Sequence, residues 1–159
     1  FKIKEEINHE LIQNIHAELM NGIDSRIGYR TTDVRVIRAA FKATPAPFVK
    51  TDMGLLLRFY NENKDKLHTL VLASIFHHKF EKIHPFMDGK GRTGRMLMNL
   101  LMIRNNFPPL IILNKERSKY LSALTKADKV NLTDANEDYN GLISFIADQF
   151  IKNYWNIFL

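Results

Sequence analysis

The chain has no cysteine, so it can have no disulfide framework, no thiolate nucleophile and no metal site built on cysteine ligands. It also lacks any apolar run near the roughly 20 residues that a membrane-spanning helix needs. Glycine (7 residues) and proline (5 residues) are few, and there is no internal repeat or low-complexity tract. These absences argue against a disulfide-stapled, collagen-like or disordered chain, and they predict no membrane segment here.

The composition is that of an ordinary globular protein, with 45% hydrophobic and 25% charged residues in a chain of 159. This length predicts one domain over residues 1–159, large enough to bury roughly 70% of the surface of its unfolded chain. The chain begins with Phe1 and shows no basic-then-apolar leader. We therefore expect a piece of a longer protein, with the cytoplasm as its default location.

The 23 basic and 17 acidic residues leave a formal charge of +6, which favours anionic partners such as nucleotides, phosphorylated surfaces or nucleic acid. The charges are scattered along the chain without a block of one sign, as on a solvated surface without any partner. No recognised DNA-binding motif is present. A helical nucleic-acid binder is therefore the weakest class, and we expect no nucleic-acid partner.

Helical spacing of apolar residues dominates the chain and predicts an all-α fold. Thr51 or Asp52 is the expected cap of the second helix, and Asp134 and Glu137 resemble a capping box before the last one. The stretch 34–49 is β-prone and contains two prolines, which predicts a small β-hairpin flap. The helical segments cover residues 5–21, 53–60, 67–83, 92–103, 116–128 and 142–154.

The segment 84–95, with the sequence HPFMDGKGRTGR, carries most of the chemistry of the chain. Two glycines flank Lys90, so the backbone can turn sharply and present its N–H groups to an anion. The segment leads into a helix N-terminus, where free N–H groups and the helix dipole favour negative charge. Arg92 and Arg95 are three residues apart, share one face of that helix, and can each fork onto phosphate oxygens.

Asp88 and His84 complete the site that these residues predict. A carboxylate next to a phosphate site is a typical Mg²⁺ ligand, and a histidine can act as a general base near neutral pH. The segment is not a Walker A loop, because Gly91 follows Lys90 where that motif has Ser or Thr. The residues alone thus favour a phosphate or Mg-nucleotide site over the alternative, a glycine-rich turn with solvated arginines.

This segment closely resembles the signature of the Fic family, H-x-F-x-[D/E]-G-N-G-R-x-x-R, and matches every fixed position but one. The resemblance extends to residues 28–34, before the flap, to residues 96–99 after the motif, and to residues 117–120. It implies the catalytic core of a protein adenylyltransferase with a Fic-type helical bundle, most like members that carry an inhibitory helix before the core. Such enzymes transfer AMP from ATP to a Ser, Thr or Tyr hydroxyl of a target protein.

The resemblance also implies a role for each matching residue. His84 would be the general base, Asp88 would hold Mg²⁺ (or Mn²⁺), and Arg95 would clasp the γ-phosphate of the substrate ATP. The flap that registers the target would be Val36, Ile37, Arg38 and Ala39. The residues expected to bind the nucleotide are Asp88, Gly89, Lys90, Gly91, Arg92, Thr93, Gly94, Arg95, Tyr120, Leu121 and Asp128.

Two departures from the family pattern bear on function. Lys90 replaces the family's Asn, and because Lys can only donate hydrogen bonds it would strengthen phosphate binding or pair with Asp88 and compete with the metal. No complete copy of the inhibitory motif [S/T]-x-x-x-E-[G/N] is present. The segment Thr133–Asp138 departs from it only at Asp138, and it is better explained as a helix cap. An inhibitory helix would then lie upstream or in another chain, and Arg95 is expected to be unblocked.

The remaining histidines are interpreted as structural. His77 and His78 have no third ligand at a zinc-like spacing, and His16 falls among apolar residues, as a hydrogen-bonded core histidine would. Two alternatives to AMP transfer stay open: Fic-type transfer of another phosphate-containing group, and a catalytically silent nucleotide-binding regulatory module. Helical surfaces near Tyr154 and Trp155 leave a homodimer open as well.

Overall fold

Helices account for the regular structure of the chain, as the apolar spacing predicts. The structure is a computed structural model that describes residues 6–36, 41–128 and 139–155. Short 3₁₀ turns at Ala46–Phe48 and Asn114–Glu116 precede the second and fifth helices. The α-helices of the described residues are α1 (His9–Met20), α2 (Val49–Asn63), α3 (Thr69–Ile83), α4 (Lys90–Arg104), α5 (Arg117–Ala127) and α6 (Asn140–Tyr154).

Two helix starts differ from the sequence-based prediction. α1 begins after Asn8, whose side-chain oxygen accepts a backbone N–H of the first turn at 2.8 Å. α2 begins at Val49, so the prediction of Thr51 or Asp52 as its cap is wrong. Asp52 instead lies in the first turn, where its carboxylate accepts the hydroxyl of Thr44 at 2.6 Å.

The core is arranged around α3, which packs against α2, α4 and α6, while α1 packs against α4 and α5 against α6. Phe76 and Phe80 of α3 and Phe86, just after it, are completely buried. Burial of each such ring stabilises the fold by about 1.5–3 kcal/mol. The end of α3 and the start of α4 are therefore held against the best-packed part of the molecule.

The predicted hairpin is only partly covered by the described residues. Residues 34–36 and 41–45 are irregular, and the described ranges contain no strand, so the all-α prediction is confirmed there. Ile37, Arg38 and Ala39 of the expected flap lie outside the described residues, as do Asp134 and Glu137 of the expected capping box. Across the ranges that are described, we find no helix with the length and apolarity needed to cross a bilayer.

Candidate active site

His84 ends α3 in a left-handed conformation (φ 58°), which is unusual for a residue with a side chain. Its backbone N–H donates to the carbonyl of Phe80 at 3.1 Å, and its own carbonyl accepts the Nε–H of Arg30 at 2.7 Å. Only 3% of the residue is exposed. The packed α3 end and Arg30 thus hold a strained backbone that places the imidazole at the start of the loop.

The His84 ring is neutral near pH 7. Burial, the charge of Lys90 and the charge of Arg30 lower its pKa to about 4, against a smaller opposite effect of a hydrogen bond to the carbonyl of Glu81. This bond joins the ring Nδ1 to that carbonyl oxygen at 3.3 Å. Because a carbonyl only accepts hydrogen bonds, Nδ1 carries the proton and Nε2 keeps a free lone pair.

Arg30 is a buried arginine that the sequence analysis did not single out as a site residue. Only 4% of it is exposed, and its guanidinium donates to the carbonyls of His84, Thr32 (2.9 Å) and Thr44. Its backbone N–H also donates to the carbonyl of Pro85 at 2.9 Å. One side chain therefore connects the loop after α3 to the two segments that flank the expected flap.

A stack of two rings supports the loop from the side of α1. His16 lies flat on Phe86, with ring centroids 3.7 Å apart and an interplanar angle of 5°. The Nε2 of His16 is 3.0 Å from the backbone carbonyl of Asp88 and donates to it, since the carbonyl can only accept. The prediction of a hydrogen-bonded core histidine is confirmed, and the bond fixes the peptide just before the glycines.

Gly89 makes the turn from the loop into α4. Its φ of +73° is in the left-handed region, and a Cβ atom there would clash with the sulfur of Met20. Its carbonyl accepts both the backbone N–H (2.9 Å) and the hydroxyl (3.0 Å) of Thr93, which is completely buried. Thr93 therefore closes the first turn of α4, leaving the N–H groups of Lys90, Gly91 and Arg92 free for an anion.

The Asp88 carboxylate fits a magnesium ion that also binds substrate phosphates. Its side chain is 58% exposed, one oxygen accepts the backbone N–H of Gly89 at 2.6 Å, and the other is 3.8 Å from Arg92 Nη2. No cluster of three metal-ligating side chains occurs in the described ranges, so a metal here would rely on this one carboxylate. Mg²⁺ is usually held in this way, by one or two carboxylates together with phosphate oxygens and water.

Gly94 allows α3 and α4 to approach closely behind the loop. A Cβ atom there would lie 2.5 Å from Glu81 Oε1, 3.1 Å from His77 Nδ1 and 3.1 Å from a ring carbon of Phe80. Arg95 is the next residue of α4 and is half-buried. A larger residue at position 94 would force the two helices apart.

The residues expected after the motif have different surroundings. Tyr120 is buried, and its hydroxyl is 2.5 Å from His77 Nε2; burial raises the pKa of this phenol. Asp128 pairs with His78 Nε2 at 3.0 Å. Leu121 is 45% exposed. The structure thus places His84 and Asp88 in the loop and the two arginines in the first turns of α4, while Tyr120 and Asp128 are hydrogen-bonded to histidines of α3.

Comparisons with known proteins agree with this arrangement. A family model described as Fic/DOC matches residues 6–102. The chain is 34% identical over 152 residues to the protein adenylyltransferase Fic of Drosophila grimshawi, an alignment covering 91% of this chain and 29% of that protein. It is 35% identical over 130 residues to a probable protein adenylyltransferase of Aquifex aeolicus, covering 81% of this chain and 40% of that protein. The chain therefore spans well under half the length of these relatives.

Solved structures show the same fold. A Fic-domain signalling protein from Bacteroides thetaiotaomicron has a TM-score of 0.84 at 20% identity, over 94% of this chain and 62% of that one. Fic-1 from C. elegans has a TM-score of 0.82 at 26% identity, over 99% of this chain and 45% of that one. The family model, the relatives and the fold agree, and this chain belongs to the Fic/DOC family.

Proposed function

We propose that this domain is a protein adenylyltransferase, which transfers AMP from ATP to a Ser, Thr or Tyr hydroxyl of a target protein. The observation that carries the proposal is a buried, neutral histidine at one end of a loop that opens a helix N-terminus beside two arginines. The chain's similarity to proteins named as adenylyltransferases supports it. A neutral base next to an anion site is the pairing that attack of a hydroxyl on a phosphate ester requires.

His84 acts as the general base in this proposal. Its Nε2 accepts the proton of the target hydroxyl as the oxygen attacks the α-phosphorus of ATP. The new oxygen–phosphorus bond forms while the bond between the α-phosphorus and the bridging oxygen breaks, and pyrophosphate leaves. Because Nδ1 stays hydrogen-bonded to the carbonyl of Glu81, the ring keeps its orientation while Nε2 gains the proton.

The loop and the first turn of α4 bind the phosphates. The backbone N–H groups of Lys90 and Gly91 bind phosphate oxygens, whereas the N–H of Gly89 donates to Asp88. Arg92 stabilises the charge that develops on the departing pyrophosphate. Arg95 clasps the γ-phosphate and sets the pose of ATP. Asp88 would hold Mg²⁺, which neutralises phosphate charge when bound.

The target protein would bind beside the flap, Val36 to Ala39. Val36, the one described residue of this flap, lines a cavity of about 830 Å³ together with residues 33–35 and 41–45 and Lys82. Arg30 ties the two segments on either side of this cavity to His84, so a target segment held there would lie near the base. Strand addition to the flap is the expected mode of binding. A glutamate from an inhibitory helix, in cis or in trans, would compete for Arg95.

Transfer of AMP is tested by incubating the domain and a cell lysate with Mg²⁺ and ATP labelled at either the α- or the γ-phosphate. Adenylylation labels protein from the α-phosphate only, and the label must be absent when the His84→Ala variant replaces the wild type. Label from the γ-phosphate alone would mean phosphoryl transfer instead. Absence of both labels, with ATP still bound, would favour a silent regulatory module.

Lys90 is the feature that favours transfer of a different phosphate-containing group. Its charge lowers the pKa values of His84 and Glu81, so it acts on the interior of the site. The described residues contain no ion pair between Lys90 and Asp88, whose carboxylate lies by Arg92 instead. This arrangement leaves Asp88 available to a metal and adds a cation beside the base.

We expect Lys90→Asn to raise the pKa of His84, because the substitution removes a positive charge that favours the neutral ring. The acidic limb of the profile of kcat/KM against pH then moves to higher pH, and the KM for ATP rises as a positive charge is lost beside the phosphates. Steady-state kinetics from pH 3.5 to pH 8 measure both changes. Lys115→Asn, in the 3₁₀ turn before α5, is the control. Identical profiles for Lys90→Asn and wild type would remove any role for this lysine.

A further inference from the structure

Glu81 is a carboxylate of α3 that lies behind the phosphate loop and has no part in the mechanism above. Its Oε1 atom is fully buried and has no hydrogen-bond partner. It lies against the first turns of α4, where a Cβ atom would be 2.5 Å from it at Gly94 and 3.9 Å from it at Gly91. The two glycines thus make room for a carboxylate directly beneath the proposed phosphate site.

Arg95 reaches the same place from α4. Its Nη1 atom is 3.4 Å from the position that a Cβ atom of Gly91 would occupy, the same point that Glu81 Oε1 approaches to 3.9 Å. The charges of Arg95 and Lys90 both favour the ionised form of this carboxyl. Glu81 is therefore an opposite charge close to the arginine to which the γ-phosphate is assigned, while the hydrogen-bond partner of that arginine is the Tyr120 hydroxyl.

The carboxyl is balanced between its two protonation states. Burial raises the pKa of Glu81 and outweighs the two cations, so that it lies at about 7. His77, on the same side of α3, stays neutral because burial lowers its pKa to about 4. Tyr120 faces the carboxyl from α5 as a neutral phenol whose pKa is raised. Among the described residues, α2 and α6 contribute no charge that acts on the pKa of this carboxyl.

We propose that Glu81 responds to the terminal phosphate of the nucleotide: its buried carboxylate balances the charge of Arg95 in the free protein, and it takes up a proton from solvent when phosphate binds that arginine. The inference rests on the proposed function, which assigns the γ-phosphate to Arg95. Bound phosphate neutralises the cations that stabilise the ionised carboxylate and adds a negative charge of its own. The carboxyl then becomes a neutral acid, so that burial no longer leaves an unpaired negative charge beside the phosphate.

The protonation of Glu81 determines the direction in which ATP affinity changes with pH. The free protein has Glu81 about half ionised at pH 7 and mostly ionised at pH 8, whereas the complex has it protonated. ATP binding therefore consumes close to one proton at pH 8 and less at lower pH. Affinity for ATP falls as the pH rises above 7, by about tenfold per pH unit at most.

The experiment is isothermal titration calorimetry at pH 8, in two buffers with different ionisation heats, with Mg²⁺ saturating so that ATP itself is already fully ionised. The heat difference between the buffers counts the protons taken up. We expect about one proton with ATP and none with AMP for the wild type. Glu81→Gln, an isostere of the protonated acid, takes up no proton and binds ATP roughly tenfold more tightly than wild type. Glu62→Gln, at the exposed end of α2, is the matched control and behaves as wild type.

The outcomes separate this inference from the proposed function. If the wild type transfers AMP but takes up no proton when it binds ATP, the inference about Glu81 is wrong and the proposed function stands. The same holds if it takes up as many protons as Glu81→Gln does. A wild type that neither binds ATP nor transfers AMP overturns the proposed function and this inference with it. The comparison of ATP with AMP uses the wild type only, so it holds even if Glu81→Gln fails to fold.

Discussion

Replacement of His84 by alanine is expected to lower the rate of AMP transfer by roughly 10²–10⁴-fold, the usual contribution of a general base. ATP affinity should be nearly unchanged, because the phosphates are bound by Arg92, Arg95 and backbone N–H groups and not by the imidazole. The effect should therefore be on kcat rather than on KM for ATP. Initial rates with α-labelled ATP and calorimetric titration of ATP measure the two quantities separately.

His68→Ala is the matched control for this variant. His68 is exposed at the opposite end of α3, where its Nδ1 accepts the backbone N–H of Leu70 at 3.3 Å. Its removal costs one helix cap, about 1 kcal/mol of stability, and should leave transfer at the wild-type rate. A His84→Ala variant that kept most of the wild-type kcat would show that another group accepts the proton.

The helices were predictable from the sequence because apolar periodicity is a local signal. Phe76, Phe80 and Ile83 follow the spacing of one helix face and are buried as expected. The helix ends were less predictable because tertiary contacts decide them. Asp52 is a good cap by residue type, but α2 already begins at Val49, and the Asp52 carboxylate accepts the hydroxyl of Thr44, which lies just before the 3₁₀ turn.

The residues of the candidate site also differ in how well the sequence predicts them. His84, Asp88, Arg92 and Arg95 lie within one short segment, so their types and spacing were sufficient to predict a phosphate site. The roles of His16 and Glu81 depend on contacts between helices that no local pattern records. His16 could be assigned to the core from its apolar neighbours, but its bond to the carbonyl of Asp88 joins residues 72 positions apart.

Arg30 is the clearest case of a functional residue that spacing does not indicate, and its replacement has a large expected effect. Arg30→Ala should lower the free energy of unfolding by about 3–5 kcal/mol, because several carbonyls lose their donor and an unsatisfied buried polar group costs about 1–3 kcal/mol. The carbonyls of His84, Thr32 and Thr44 are the main ones affected. Urea denaturation followed by circular dichroism measures the change.

The same variant should lose more activity than stability alone explains. Arg30 binds the carbonyl of His84, whose left-handed backbone is strained, and without this bond the residue can relax toward an ordinary helical conformation. At a temperature where the variant is still folded, kcat is expected to fall while ATP affinity is kept. Arg58→Ala, at an exposed position of α2, should change neither quantity.

Lysine at position 30 keeps the charge but cannot bind the diverging carbonyls with one planar group, so it should restore stability only in part. If Arg30→Ala unfolded at the wild-type urea concentration, the carbonyls would have found other donors, and the link between the flap and the base would not depend on this side chain.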